Sequence, residues 1–311
     1  MNSFNVKIRR NSNGFTIVEL LVVIAIIILI AAMLIPALGK AFATAKSSED
    51  KTRLKGIHAA LVLDATGNDG RFPLPSDVGK DHPELDPTLY DFTDTTSNLM
   101  SMMVARNYFK TDFLISPVET NPHVQDINAE DLVYRYDDID GETVFWDDQF
   151  NADVSSGSAS SLVHNSYAHQ ALCGQRIRLK WHSGSSSSDL ILSNRGPESS
   201  VGPGGTLVYD EESNSLRFHG EDKIWKGGIV SGDGSVRIAQ SYLPEGIAYQ
   251  PLDGSPLGPD NIFLKDWSDV QVPFPFPADE IGLFSGDNWM VISTVNDVLP
   301  SRAIDFTAVW D

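Results

Sequence analysis

Residues 15–38 read FTIVELLVVIAIIILIAAMLIPAL, and Leu20 to Ile35 contain no charged side chain. At ~1.5 Å per residue, a helix over this run is about 36 Å long, enough to cross a bilayer core of roughly 30 Å. A segment in lipid must be helical, because no water is there to satisfy its backbone groups. The run therefore predicts a membrane-spanning helix over residues 15–38.

Two residues of this run are not expected in a plain membrane anchor. Glu19 is ionisable and lies near one end of the span. Either its carboxylate reaches the membrane interface, or it has a partner. A free backbone amine on Phe15, in the same chain or a neighbouring chain, would be such a partner. Pro36 lacks a backbone donor, so we expect a kink or a melted turn near Ala32–Pro36. A helix end at the membrane surface is the alternative, since Gly39 follows closely.

A basic leader containing Lys7, Arg9 and Arg10 precedes the segment Gly14-Phe-Thr-Ile-Val-Glu-Leu20. This segment resembles the processing motif of type IV prepilins and type II secretion pseudopilins. The resemblance implies cleavage between Gly14 and Phe15 by a prepilin peptidase, N-methylation of Phe15, and a role of Glu19 in subunit assembly. An ordinary secretory signal loses its apolar region on cleavage, whereas here the apolar region follows the cleavage site and is retained.

The composition is acidic, with 42 Asp and Glu against 23 Lys and Arg and a net charge of −19. Such a charge argues against a nucleic-acid surface, which needs Lys and Arg to displace counterions. It is compatible with a soluble domain outside the cytoplasm. Cys173 is the one cysteine of the sequence, so no disulfide within the chain can form.

A helical spacing of apolar residues continues beyond Pro36, at Phe42, Ala45, Leu54, Ile57, Leu61 and Ala65. Gly67-Asn-Asp-Gly70 predicts the end of this helix. The predicted organisation is a leader peptide over residues 1–14, a transmembrane and assembly helix over 15–38, its continuation over 39–66, and a periplasmic β-rich globular domain over 70–311.

The chain beyond Gly70 predicts an antiparallel β-rich domain, which makes the fold class α+β and pilin-like. Residues 77–94 are predicted as a loop, Ser97–Tyr108 as a short helix and Phe113–Pro117 as a short strand entering a turn. Predicted strand pairs lie at 133–136 with 143–146, 206–209 with 215–218, 228–230 with 235–238, and 281–284 with 289–292. Ile304–Trp310 is predicted as a closing strand, and the Ser- and Gly-rich stretches 155–161, 183–188 and 199–205 as loops.

Several segments resemble a bacterial subfamily of large prepilin-like proteins. They are the stretch from Leu54-Lys-Gly-Ile57 through Phe72-Pro73, Ser166-Tyr-Ala168 and Leu190–Gly196, and Asp233-Gly234 matches the end of the subfamily's C-terminal His-x9-Asp-Gly motif. The chain departs from the subfamily pattern at four positions. Ser116 stands in place of Cys before Pro117, His169 in place of Asn, Asn194 in place of Asp, and Lys223 in place of the motif's His.

Catalytic and metal-binding patterns are weak, so no enzymatic activity is predicted. The sequence has no Gly-x-Ser-x-Gly elbow, His-Glu-x-x-His pair or Walker loop. A zinc site from His164, His169, His182 and Asp189 is a minor alternative to ordinary hydrogen-bonded histidines. Calcium is the one cofactor considered: Asp138, Asp140 and Glu142 form an acidic turn with hard oxygen ligands, although an ordinary solvated hairpin turn is favoured.

The favoured function is a pseudopilin-like structural subunit of a type II secretion-like filament. The expected partners are a prepilin peptidase, other pilin-like subunits and an inner-membrane assembly platform, with no nucleic acid. The expected location is the bacterial inner membrane, crossed once, with the N-terminus cytoplasmic, the C-terminal domain periplasmic and the filament in the periplasm or at the cell surface. The alternatives are a type IV pilus subunit for adhesion or motility, and a membrane-tethered enzyme or binding protein.

Overall fold

A computed structural model describes residues 15–81, 92–127, 149–156, 161–173, 175–197, 199–201, 207–220, 223–249, 258–264, 287–298 and 304–310. The chain divides into two compact units, Met1–Ala45 and Lys46–Asp311. One helix, α1, contributes to both units, and the second unit contains the sheet.

Helix α1 covers Ile17–Ala65, with Pro36 in its interior. The helix therefore does not end at Pro36, which confirms that part of the prediction, whereas the kink stays a prediction. The chain leaves the helix at the predicted stop, where Asp69 and Gly70 have φ values of 49° and 78°. The Gly70 N–H donates to the Ala65 carbonyl at 3.0 Å and closes the last turn.

In the second unit, one face of α1 is buried at a helical spacing. Its buried residues are Asp50, Leu54, Ile57, His58, Ala60, Leu61 and Ala65. The apolar members of this series follow the predicted stripe. Phe42 does not belong to the buried face, because 61% of its surface is exposed.

The core of the second unit is a six-stranded sheet. Its strands are β1 (Tyr167–Gln170), β2 (Leu190–Asn194), β5 (Gly227–Ser231), β6 (Val236–Ala239), β9 (Met290–Val298) and β10 (Ile304–Val309). Neighbouring strands all pair antiparallel, in the order β10-β9-β1-β2-β5-β6. Two small sheets accompany it, β3 (Ser199–Val201) with β4 (Leu207–Tyr209), and β7 (Ala248–Tyr249) with β8 (Gly258–Pro259). The predicted α+β, pilin-like fold class is confirmed.

One face of the sheet meets α1. Tyr167 pairs with Asn194 across β1 and β2, and directly paired residues point to the same face of an antiparallel sheet. A Cβ placed on Gly228 in β5 would lie 2.3 Å from Leu54 Cδ1, so the absence of a side chain there lets the helix approach the strand closely. Trp181 and Trp225 are almost fully buried in the same core.

The described residues of the second unit also form three short α-helices: α2 (Pro75–Asp81), α3 (Thr96–Ala105) and α4 (Gln175–Leu179). Helix α3 confirms the short helix predicted at 97–108. Thr95 caps its N-terminus: the Thr95 side chain accepts a hydrogen bond from Asn98 N and so satisfies an otherwise unpaired N–H of the first turn.

Four local predictions are wrong. Residues 206–209 do not pair with 215–218: β4 pairs with β3, which lies in a stretch predicted as loop, and Asn214–Arg217 is a 3-10 turn. Helix α2 begins at Pro75, five residues after Gly70, and occupies the start of the predicted loop at 77–94. The predicted strand at 113–117 is not formed: Thr111–Leu114 is a 3-10 helix, and the Phe113 ring packs on Gly56 of α1.

The remaining strand predictions divide into confirmed and untested ones. The pair 228–230 with 235–238 is confirmed as β5 with β6, and the closing strand as β10. Residues 289–292 overlap β9, which pairs with β1 and β10. Their predicted partner, residues 281–284, lies outside the described residues, as does the hairpin at 133–146.

Candidate assembly helix and its docking site

The first turn of α1 is closed by a reciprocal pair of side chains, Thr16 and Glu19. Glu19 Oε2 accepts hydrogen bonds from Thr16 N at 2.8 Å and from Thr16 Oγ1 at 2.7 Å, and Glu19 N donates to Thr16 Oγ1 at 3.2 Å. This is a capping box, in which each residue satisfies an unpaired backbone donor at the helix N-terminus. The Thr-x-x-Glu spacing is visible in the sequence, but the sequence reasoning assigned no role to Thr16.

The capping box gives Glu19 a partner within its own chain. Its carboxylate is directed back to the helix N-terminus, one residue after Phe15. The predicted pairing of Glu19 with an amine on Phe15 stays a prediction, as does the cleavage that creates this amine. Gly14 lies outside the described residues.

The apolar half of α1 presents its side chains outward. The helix is long and apolar enough to cross a membrane, and none of its most apolar 18-residue window is buried within the structure. Ile17 and Met33, for example, are 83% and 70% exposed. Exposed apolar surface of this extent marks contact with lipid or with other protein.

In the second unit, α1 is fixed to the sheet by a buried carboxylate, Asp50. Its Oδ1 atom accepts hydrogen bonds from the Tyr167 hydroxyl at 3.1 Å, from Asn194 Nδ2 at 3.2 Å and from the Ser116 hydroxyl. Oδ2 is also buried and has no hydrogen-bond partner within the described part of the chain. Burial raises the pKa of Asp50, and the hydrogen bonds from Ser116, Asn194 and Tyr167 partly offset this rise.

Three residues from the subfamily-like segments meet at Asp50. Tyr167 lies in β1, Asn194 in β2 and Ser116 just after the 3-10 turn at 111–114. Asn194 Oδ1 also accepts a hydrogen bond from Gly228 N, which joins β5 to the same network. The sequence reasoning named these three residues but missed Asp50, which lies four residues before Leu54, one helical turn along the same face.

The Asp233-Gly234 turn lies against α1 at His58. A Cβ on Gly234, whose φ is 77°, would lie 3.4 Å from a carbon of the His58 ring. Burial lowers the pKa of His58, while the Asp233 carboxylate acts in the opposite direction. Lys223, which stands at the first position of the degenerate motif, forms an exposed pair with Glu211 at 2.8 Å. The motif therefore joins strand and helix through its Asp-Gly half.

The histidines considered for zinc are engaged separately. His164 Nδ1 accepts from Asn151 N at 3.0 Å, and His182 Nδ1 accepts from Gly184 N at 3.1 Å. His169 lies in β1 and contacts Thr96 and Gln170. Among the described residues no three His, Cys, Asp or Glu side chains are grouped to hold a metal ion. The calcium candidates Asp138, Asp140 and Glu142 lie outside these residues and stay an expectation.

Comparison with known families identifies the N-terminal segment. A family model described as the prokaryotic N-terminal methylation motif matches residues 9–35. The match covers Gly14, Phe15 and Glu19 and most of the apolar run, and a long apolar helix follows the motif. The N-terminal segment is therefore prepilin-like, as the resemblance implied. No curated protein and no solved structure matches the chain.

Proposed function

We propose that the chain is a pseudopilin-like structural subunit of a type II secretion-like filament. The observation that carries this proposal is the methylation motif at residues 9–35, continuous with an apolar helix whose side chains face outward. The motif supports a type IV pilin-like or pseudopilin-like subunit in general. The choice of a secretion filament, and of a structural and non-enzymatic role, is our own.

Before assembly, residues 15–38 hold the subunit in the bacterial inner membrane. The leader residues Lys7, Arg9 and Arg10 favour a cytoplasmic N-terminus, because positive charge accumulates on that side. A prepilin peptidase then cleaves between Gly14 and Phe15 and methylates the new amine. The acidic domain lies in the periplasm.

During assembly, Glu19 interacts with the amine of Phe15 in an adjacent subunit. The capping box prepares this contact, because Thr16 holds the Glu19 carboxylate at the helix N-terminus where that amine must arrive. A carboxylate and an amine that leave water together stabilise each other, whereas either one alone is costly to bury. The pair therefore sets the register of an incoming subunit as it leaves the lipid.

Pro36 serves the same helix at the other end of the apolar run. It takes away the backbone hydrogen bond to the Ala32 carbonyl, at a cost of ~3 kcal/mol in an ordinary helix interior. Nearby groups can satisfy the freed carbonyl in a membrane or a filament. We propose that this turn is the place where α1 adjusts when subunits pack or when the filament is under load.

The test is the substitution Glu19→Ala, measured as membrane insertion and as recovery in isolated filaments. The variant should insert normally, because the apolar run is unchanged, and should be absent from filaments. Glu49→Ala is the matched control, since Glu49 is an exposed glutamate of the same helix that pairs with Arg53 four residues later. Normal incorporation of Glu19→Ala would contradict the proposed role.

A strain that lacks the chain distinguishes a secretion function from a pilus function. Deletion of the chain should leave a secreted protein in the periplasm and leave surface adhesion and motility unchanged. Loss of surface pili with secretion intact would instead identify a type IV pilus subunit.

A further inference from the structure

An open hollow of about 300 Å³ lies beside the second half of α1, on the second unit of the chain. It is lined by Gly56, Tyr108, Phe109, Lys110, Asp112 and Phe113. We call it the aromatic hollow. Its volume is at the lower end of the range for ligand pockets, which suits one short side chain and its flanking backbone.

The aromatic hollow is a built feature of the fold. The Phe113 ring packs directly on Gly56, where a Cβ would lie only 2.6 Å from Phe113 Cζ. The Phe113 ring stacks on Phe109 at 5.9 Å, and the Arg53 guanidinium lies 5.8 Å from its centre. Arg53 is fixed in turn by a hydrogen bond of 2.7 Å to the Ile115 carbonyl. These contacts hold the rings half-buried at the surface.

One lysine lines the aromatic hollow, and a second one directly precedes a lining residue in the sequence. Lys110 lines it and is exposed, and Lys55, also exposed, immediately precedes Gly56 on α1. In the described part of the chain neither lysine forms an ion pair. Asp112 supplies one opposing carboxylate, and Tyr108 donates a hydrogen bond to Asp64, which also pairs with Arg106 at 2.6 Å. A partner that carries both an apolar side chain and carboxylates fits this surface.

The chain itself provides such a partner. Residues 56–311 contain 15 Lys and Arg against 39 Asp and Glu, a net charge of −24, so two copies repel each other unless a basic surface of one meets an acidic surface of the other. At the end of β4, Val208 is 49% exposed and the exposed acids Asp210, Glu211 and Glu212 follow it. Glu211 is already paired with Lys223, while Asp210 and Glu212 form no ion pair within the described residues.

We propose that the aromatic hollow of one subunit receives the β4 end of a second copy, with Val208 against the rings and Asp210 and Glu212 near Lys55 and Lys110. The two surfaces lie at different places on the same subunit. We propose that the contact is heterologous, so that it repeats head to tail into an open polymer. This inference rests on the proposed function, because it assigns the subunit contact of the same filament.

A charge exchange tests the proposal in cells. The double variant Lys55→Glu/Lys110→Glu should be recovered in isolated filaments at least about tenfold less than wild type, because like charges across an interface are unfavourable. Adding Asp210→Lys/Glu212→Lys to the same chain should restore recovery, since every hollow then meets a basic β4 end. Adding Glu245→Lys, a change at another exposed acid, should not restore it.

Each outcome decides between explanations. If the Lys55→Glu/Lys110→Glu variant is recovered in filaments as well as wild type, the proposal is overturned. This holds also if that variant loses only the secretion of an acidic cargo. Failure of the charge exchange to restore recovery overturns the assignment to β4.

If the wild-type chain forms no filament, the proposed function fails, and the contact is tested separately on the purified full chain in detergent. There, carbodiimide treatment of mixed light and heavy isotope copies should join Lys55 or Lys110 to Asp210 or Glu212 of the other copy, and the absence of such links overturns the contact.

Discussion

Replacing Asp50 with alanine should loosen the attachment of α1 to the sheet. The substitution leaves three donors without their acceptor, on Ser116, Tyr167 and Asn194. A buried donor left unpaired costs about 1–3 kcal/mol. The substitution also removes a carboxylate whose burial is unfavourable, which offsets part of this loss. We therefore expect the free energy of unfolding to fall by about 3 kcal/mol.

The assay is urea unfolding of the full chain in detergent micelles, followed by tryptophan fluorescence. Trp181 and Trp225 are almost fully buried in the second unit, so their emission reports loss of the sheet and its packing. With a slope of about 3 kcal/mol per molar, the urea midpoint should fall by about 1 M. Glu49→Ala is the control, because its exposed pair with Arg53 contributes only about 0.3–0.5 kcal/mol.

A double-mutant cycle makes the test specific to the hydrogen bond. Tyr167→Phe removes one of the three donors, so it should cost less in the Asp50→Ala background than in the wild type. A midpoint of Asp50→Ala equal to that of Glu49→Ala would refute the docking role. Strict additivity of Asp50→Ala and Tyr167→Phe would refute the contribution of their contact.

The pH dependence of this variant series follows from the raised pKa of Asp50. Between the unfolded pKa of 3.8 and the higher folded pKa, the folded chain binds more protons than the unfolded chain. Stability contributed by this group is therefore present at low pH and lost as the pH rises through the folded pKa. We expect the difference in midpoint between wild type and Asp50→Asn to shift in favour of wild type on acidification.

Three further predictions concern other contacts. Burial lowers the pKa of His169 from 6.5 to about 4, so its contribution to stability should be lost as the pH falls from 6.5 towards 4, and His169→Gln should reduce this acid sensitivity in urea titrations. Gly232→Ala should lower the unfolding free energy by about 1–3 kcal/mol, because its Cβ would lie 2.7 Å from the Ser185 backbone, whereas Gly39→Ala, with no atom within 4 Å, should not. Thr16→Ala should reduce filament recovery less than Glu19→Ala and leave membrane insertion unchanged, since it removes the partner that orients Glu19 but keeps the carboxylate.

The sequence predicts α1 well because its signals are local. An uncharged apolar run, a helical spacing beyond it and a Gly-Asn-Asp-Gly stop each depend on neighbouring residues. The hairpin of β5 and β6 is local in the same way, with an Asp-Gly turn between two short apolar strands.

Contacts between distant residues account for what the sequence analysis missed. β3 lies in a Ser- and Gly-rich stretch and becomes a strand because β4 supplies its hydrogen bonds. The aromatic residues near Phe113 suggest a strand, but Gly56 lets that ring pack on a helix more than fifty residues earlier. Asp50 is one polar residue in an apolar series, and its three donors come from segments 66, 117 and 144 residues away.

The measurement that tests the central claim most directly is intact mass spectrometry of the chain recovered from isolated filaments. A prepilin-like subunit should begin at Phe15 and carry one methyl group on its amine, and Gly14→Val should yield an uncleaved precursor that remains in the membrane. A chain that begins at Met1 in the filament fraction, or one cleaved after Leu38, would contradict the account.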